Sequence, residues 1–236
     1  LLTKFPTTPS ANPARYGLAL VIGAEATPDY PKLIEAITPA ANDGNFADRG
    51  PALAELAAAH RALGLNDLKL AGYAPAEADA RKKAAADRFT KAKDATIAAR
   101  DWFAGKGDVE RAARGWCDQA ELELRLNRPK DAKAAADAVL KSPDLSKTKA
   151  KPLALYYHGL ASYLDRDYRA AGRSLNQLSP FSDPAFGPHA RYLVGRVLHL
   201  GGENAEAAAY YDAVLTDAEK AKKDAAEALK TPDRFK

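Results

Sequence analysis

Four histidines, His60, His158, His189 and His199, and a single cysteine, Cys117, are the side chains able to ligate a transition metal or to act as base or nucleophile near neutral pH. Their spacing supports neither role. His189 and His199 share one segment, but ten residues apart they do not make a zinc pair, and no cysteine or carboxylate cluster joins them. One cysteine excludes an intrachain disulfide and a cysteine-based metal cluster. The chain carries no P-loop, G-x-S-x-G, H-E-x-x-H or C-x-x-C. The expectation is therefore no catalytic residue, no metal and no cofactor, with His189 and His199 as histidines of the repeat surface.

The elements that carry these residues recur. Gly195 to Tyr211 aligns with Gly159 to Leu175 and more loosely with Ala120 to Ala136. In each, a small residue is followed 12 positions later by an alanine: Gly195 and Ala207, Gly159 and Ala171, Ala120 and Ala132. Small residues at such positions let two antiparallel helices approach closely, and a period of 36 to 39 residues is that of stacked helical hairpins. Composition agrees: 47% of residues are hydrophobic but only 8% aromatic, and alanine, the strongest helix former, dominates the apolar share.

With these residues in view, the chain resembles the tetratricopeptide-repeat family, whose pattern is W-x2-L-G-x2-Y, then A-x3-F, then proline. The last copy keeps Val194-Gly195, Gly202 and Ala207-x3-Tyr211. The middle copy keeps Gly159, Ala171-x3-Leu175 and Pro180. The earlier one keeps Trp116, Ala120, Ala132 and Pro143, but places Gln119 and Glu123 at apolar positions. A weaker copy puts Val21 and Leu33 at the same spacing. The resemblance implies an all-α fold, a right-handed α-solenoid of stacked antiparallel hairpins, interrupted here by one long irregular helix.

The expected organisation is a linker or tail of a preceding repeat over 1–12, degenerate hairpins over 13–107, three repeats over 108–217 and a helical extension over 218–236. Within it, Ala52 to Leu63 reads as a helix stopped by Gly64, and Asp108 as the N-cap of the next. The long helix falls near 76–104, where Ala78, Ala85, Ala92 and Ala99, at intervals of seven, with Phe89, Thr96 and Phe103 form one narrow apolar stripe. That stripe reads either as packing along the array or as a coiled-coil arm for a partner.

In tetratricopeptide arrays the first helices line a concave groove. Carried over residue by residue, the resemblance exposes Arg114, Cys117, Glu121 and Arg125 from one repeat, Tyr156, Leu160 and Tyr163 from the next, and His189, Tyr192, Arg196 and His199 from the last. The proposed peptide-binding set is Arg114, Arg125, Tyr156, Tyr163, Tyr192, Arg196 and His199. Tyrosines bury area at low entropic cost and arginine pairs with carboxylates, which suits an extended protein segment with aromatic or acidic groups. The alternative is that these tyrosines only pack between hairpins. Leu160 and Arg196 stand where chaperone-tail binders of the family have asparagine, so that ligand is not implied.

The reading is a non-enzymatic protein-protein interaction module or scaffold. Its alternatives are a regulatory or substrate-presenting arm of a larger enzyme, or a self-assembly module. A balance of 35 basic against 31 acidic residues, with signs alternating from Glu77 to Asp94, points to a solvated helix face and away from nucleic acid. There is no apolar run of the roughly 18 residues that cross a bilayer. The opening segment, with its proline-bearing joint before Ala14-Arg15-Tyr16, is similar to inter-repeat joints of bacterial envelope proteins of this family. It implies a fragment of a longer bacterial protein of the periplasm or envelope, with the cytoplasm as alternative.

Overall fold

The computed structural model describes residues 8–230, which form ten α-helices and no strand. The chain divides into two compact units, Leu1–Lys151 and Pro152–Lys236. The first holds α1 (Ala11–Gly23), α2 (Tyr30–Asn42), α3 (Arg49–Tyr73), α4 (Ala78–Gly105), α5 (Val109–Arg125) and α6 (Pro129–Lys141). The second holds α7 (Lys151–Leu164), whose first residue falls at the boundary, α8 (Tyr168–Leu175), α9 (Gly187–Leu200) and α10 (Asn204–Ala228). Within each unit, helices consecutive in sequence pack side by side.

Local chemistry explains where these helices begin. Asp29, Asp108 and Asp167 each precede a helix, and each carboxylate accepts the backbone N–H three residues on, at 3.0–3.1 Å. Their ends share a second device. Gly107, Asn127, Arg166 and Gly202 adopt positive φ, between 59° and 84°. The N–H of the following residue then bonds back to the carbonyl five positions before it, at 2.8–3.0 Å in all four turns. This closes the last turn of the helix and reverses the chain into the next. Asn127, Arg166 and Gly202 lie 39 and 36 residues apart, so the backbone repeats with the same period as the side-chain pattern.

The cores are built from alanine and a few large side chains. In the first unit Leu33, Ile37, Phe46, Leu53 and Phe103 join five helices, while Phe89 and Leu122 form a second cluster with Ala85 and Ala92. In the second unit Leu175, Phe181, Leu193 and Val194 pack around Ala171 and Ala190. The small residues sit where helices touch. A Cβ added to Gly159 would lie 2.5 Å from Leu175 Cγ, and one added to Gly195 2.8 Å from Tyr211 Cε1.

Three expectations need correction. The helix expected to stop at Gly64 runs on to Tyr73, because Gly64 faces the Phe89 ring and its missing side chain makes room for it. Packing across that contact outweighs the modest helix propensity cost of glycine. Ala11 and Asn12, expected in a linker, belong to α1; residues 1–7 of that stretch lie outside the described residues. The helical extension expected from 218 is present as the continuation of the 25-residue α10, and the expected stop at Pro232 lies outside the described residues. The long helix is α4, of 28 residues; Ala78 at its start is half-buried, and the rest of the stripe, Ala85 to Phe103, is buried by the chain itself, which removes the coiled-coil reading.

Candidate functional site

In the second unit, α7 carries Tyr156, Leu160 and Tyr163 at i, i+4 and i+7, and α9 carries His189, Tyr192, Arg196 and His199 at i, i+3, i+7 and i+10. These intervals keep each set on one helix face. The two faces meet: the Tyr156 hydroxyl lies 2.7 Å from His189 Nδ1, and about two turns along, Arg196 Nε donates to the Tyr163 hydroxyl at 3.3 Å.

Rings continue the contact in both directions. Tyr156 stacks on Phe186 with centroids 5.1 Å apart, His189 on Tyr192 at 6.3 Å, and Tyr192 leans on Tyr211 of α10 at 5.8 Å. His199 meets the edge of Tyr211 at 6.4 Å. Tyr192 is the outermost tyrosine of this face, 39% exposed, while the Tyr211 hydroxyl is buried without a hydrogen-bond partner. Desolvation of the His189 ring by its aromatic neighbours lowers its pKa, although the residue as a whole faces solvent. Arg196 moves the other way, raised first by its hydrogen bond to Tyr163 and then by the negative side of neighbouring tyrosines. The face thus presents ring surface, hydroxyls and one permanently charged guanidinium.

Five of the seven expected residues therefore fall together: Tyr156, Tyr163, Tyr192, Arg196 and His199. The other two, Arg114 and Arg125, belong to α5 in the first unit and take part in a different arrangement. Arg114 Nε donates to Asp118 at 2.8 Å. Arg125 donates twice to Glu121 Oε1, at 2.8 and 2.6 Å, and Arg61 of α3 reaches the same oxygen at 2.7 Å. Asp118 is held above the usual carboxylate range by burial, with Arg114 pulling it partway back.

Two residues expected to be exposed there are not. Glu121 is buried between two arginines, Arg61 reaching it from α3 and Arg125 from one turn along α5. Cys117 is fully buried, its thiol donates to the Ala150 carbonyl at 3.6 Å, and burial followed by the nearby Asp118 pushes its pKa up to about 12. The two misfits to the repeat pattern are also explained. Gln119 accepts from Arg100, and buried Glu123 is paired with Lys93 at 3.1 Å, so polar partners replace the apolar contact.

Sequence reasoning passed over Arg61, Arg100 and Arg111, which gather beside Arg114. Arg100 is buried, with its guanidinium 3.6 Å above the Trp116 ring, and Arg111 lies 4.3 Å over Phe103. The available signal was Arg100 three residues before Phe103 on an alanine-rich helix. Comparison with known proteins finds no family whose sequence pattern matches this chain and no curated relative.

Proposed function

We propose that the chain is a non-enzymatic recognition module whose hairpins, within each unit, stack in the manner of a right-handed tetratricopeptide solenoid, and that its second unit binds an extended protein segment across α7 and α9. One observation carries this reading. The pairs Tyr156–His189 and Tyr163–Arg196 join α7 and α9 into one continuous face and leave Tyr192 projecting from it. Preformed aromatic surface costs little entropy to use, and Arg196 beside it would pair with an acidic group of the segment.

The test is a selection of peptides from a random library on the immobilised protein, followed by titration of the selected sequences. The expected binders combine an aromatic and an acidic residue. Arg196→Ala then lowers both affinity and its dependence on salt, whereas Tyr192→Ala lowers affinity and leaves the salt slope unchanged. Hydrogen-exchange protection confined to α8 or α10 would refute the proposal.

A second reading has one observation in its favour. In α10 only Ala207 is buried, and Leu215 is 61% exposed, which fits a self-assembly module that covers this helix with another copy. Sedimentation velocity separates the two: a concentration-dependent dimer lost on Leu215→Lys supports self-assembly, and a monomer at all concentrations removes it.

A further inference from the structure

On α9 the residues Tyr192, Arg196 and Leu200 fall at successive i+4 positions and form one ridge of the helix surface. The same repeat positions on α7, 36 residues earlier, hold Tyr156, Leu160 and Leu164. The two ridges differ at their middle, where only α9 carries a charge. That charge is not neutralised among the described residues. Arg196 makes one hydrogen bond, through Nε to the Tyr163 hydroxyl, and no described carboxylate pairs with it. Its electrostatic neighbours are Tyr163, Tyr192 and Tyr211. Arg191 on the same helix shows the contrast, since it bonds to Asp217 and to the Pro180 carbonyl. Beyond the Tyr163–Arg196 bridge each helix ends on an exposed leucine, Leu164 at 53% and Leu200 at 50%.

We infer that the segment bound by this face carries an aromatic, an acidic and an aliphatic residue at alternate positions, i, i+2 and i+4, in either chain direction. This rests on the α7–α9 reading above and specifies its ligand. Residues four apart along a helix are separated by a rise of about 6 Å. In an extended chain, side chains two apart point to the same side and lie about 6.6 Å from one another. Each ridge residue therefore meets every second residue of the segment. Chemistry then assigns the three positions. A ring packs against exposed Tyr192, a carboxylate pairs with Arg196, and an aliphatic side chain covers Leu200 and Leu164. A basic residue in the middle would meet an unneutralised guanidinium, so the pattern also excludes one class of segment.

The experiment uses the whole chain and peptides that share one serine–glycine frame, titrated by calorimetry and by amide shifts. Phe-Ser-Glu-Ser-Leu or its reverse, Leu-Ser-Glu-Ser-Phe, at the centre of the frame should bind and shift α7 and α9. The tighter of the two should weaken about tenfold when Glu becomes Gln, which removes the charge. A similar loss is expected when Glu moves one place along, which turns it away from the ridge at constant composition. Arg196→Gln should bring the Glu and Gln peptides to equal affinity. Leu200→Ser, at an exposed position, should weaken both about fivefold and spare the difference between them. Arg196→Glu should prefer a peptide with Lys in place of Glu, a gain of binding that unfolding cannot imitate. Equal binding of the Glu, Gln and moved-Glu peptides, with shifts still on α7 and α9, would overturn the inference and leave the α7–α9 reading in place. Library-selected binders that shift these helices but lack the alternating pattern would do the same. No shift on α7 or α9 from any peptide, designed or selected, would overturn both.

Discussion

Gly159→Ala puts the helix-crossing argument at risk most directly. The new Cβ would lie 2.5 Å from Leu175 Cγ and 2.7 Å from its Cδ2, about 1 Å inside ordinary contact. Leu175 is fully buried, so it has no open space to swing into. Alanine gains about 1 kcal/mol over glycine in helix propensity, and overpacking a tight core costs about 1 to 3 kcal/mol. To remove the propensity term, Gly17→Ala serves as reference, since Gly17 is also helical and nothing lies within 4 Å of its added Cβ. Gly17→Ala should stabilise by about 0.5 to 1 kcal/mol. Gly159→Ala should fall below it by about 1 to 3 kcal/mol. Gly195→Ala should fall between them, because Tyr211 is half-buried and its ring can turn aside. Urea unfolding followed by circular dichroism reads these differences as midpoint shifts of about 0.5 to 1 M. If Gly159→Ala stabilises as much as Gly17→Ala, the α7–α8 crossing is not where the repeat places it.

Three further outcomes are expected. Arg166→Gly should raise stability by about 1 kcal/mol, because Arg166 holds a left-handed backbone at φ 64° that a side chain disfavours; an unchanged or lower urea midpoint contradicts the turn geometry. Cys117 should resist a thiol reagent at pH 8 in the native protein and react on unfolding in urea, since its thiol is buried and pushed up to about 12; fast native labelling would be inconsistent with its place in the core. His189 should titrate below 6.5 when followed by nuclear magnetic resonance. A depressed folded pKa means that its contribution to stability is complete above 6.5 and is lost as pH falls through the depressed value, so the second unit should weaken on mild acidification. A midpoint at or above 6.5 would show that the Tyr156 and Tyr192 rings do not shield it.

Much of the helical framework was legible in the residues because the signals are local. Asp108 before Val109 is a cap by its own carboxylate, and Gly202 reverses the chain by its own backbone freedom. Gly159 and Ala171 mark a crossing because nothing larger fits there. The α7–α9 face was legible in part: the i, i+7 spacing of Tyr156 with Tyr163 and of His189 with Arg196 describes two faces, and the structure pairs them. Gly64 misled because its role is to accept Phe89, 25 positions away, and no local pattern distinguishes that from a helix stop.

The sequence by itself determined the helices, their caps and the period of the hairpins, since each depends on residues within one or two turns of one another. Only the tertiary structure decided which polar side chains are exposed. Glu121 and Cys117 sit on a face that repeat spacing would turn outward, yet Arg61 of α3 reaches over the one and the Ala150 loop covers the other. It also decided that Arg61, Arg100, Arg111 and Arg114 share one cavity, because their approach depends on how closely α3 and α5 lie on α4, and that distance is set by small residues such as Gly115 against Arg100. Burial and convergence are properties of packed surfaces, and a one-dimensional pattern carries them only where the contacting residues are also neighbours in the chain.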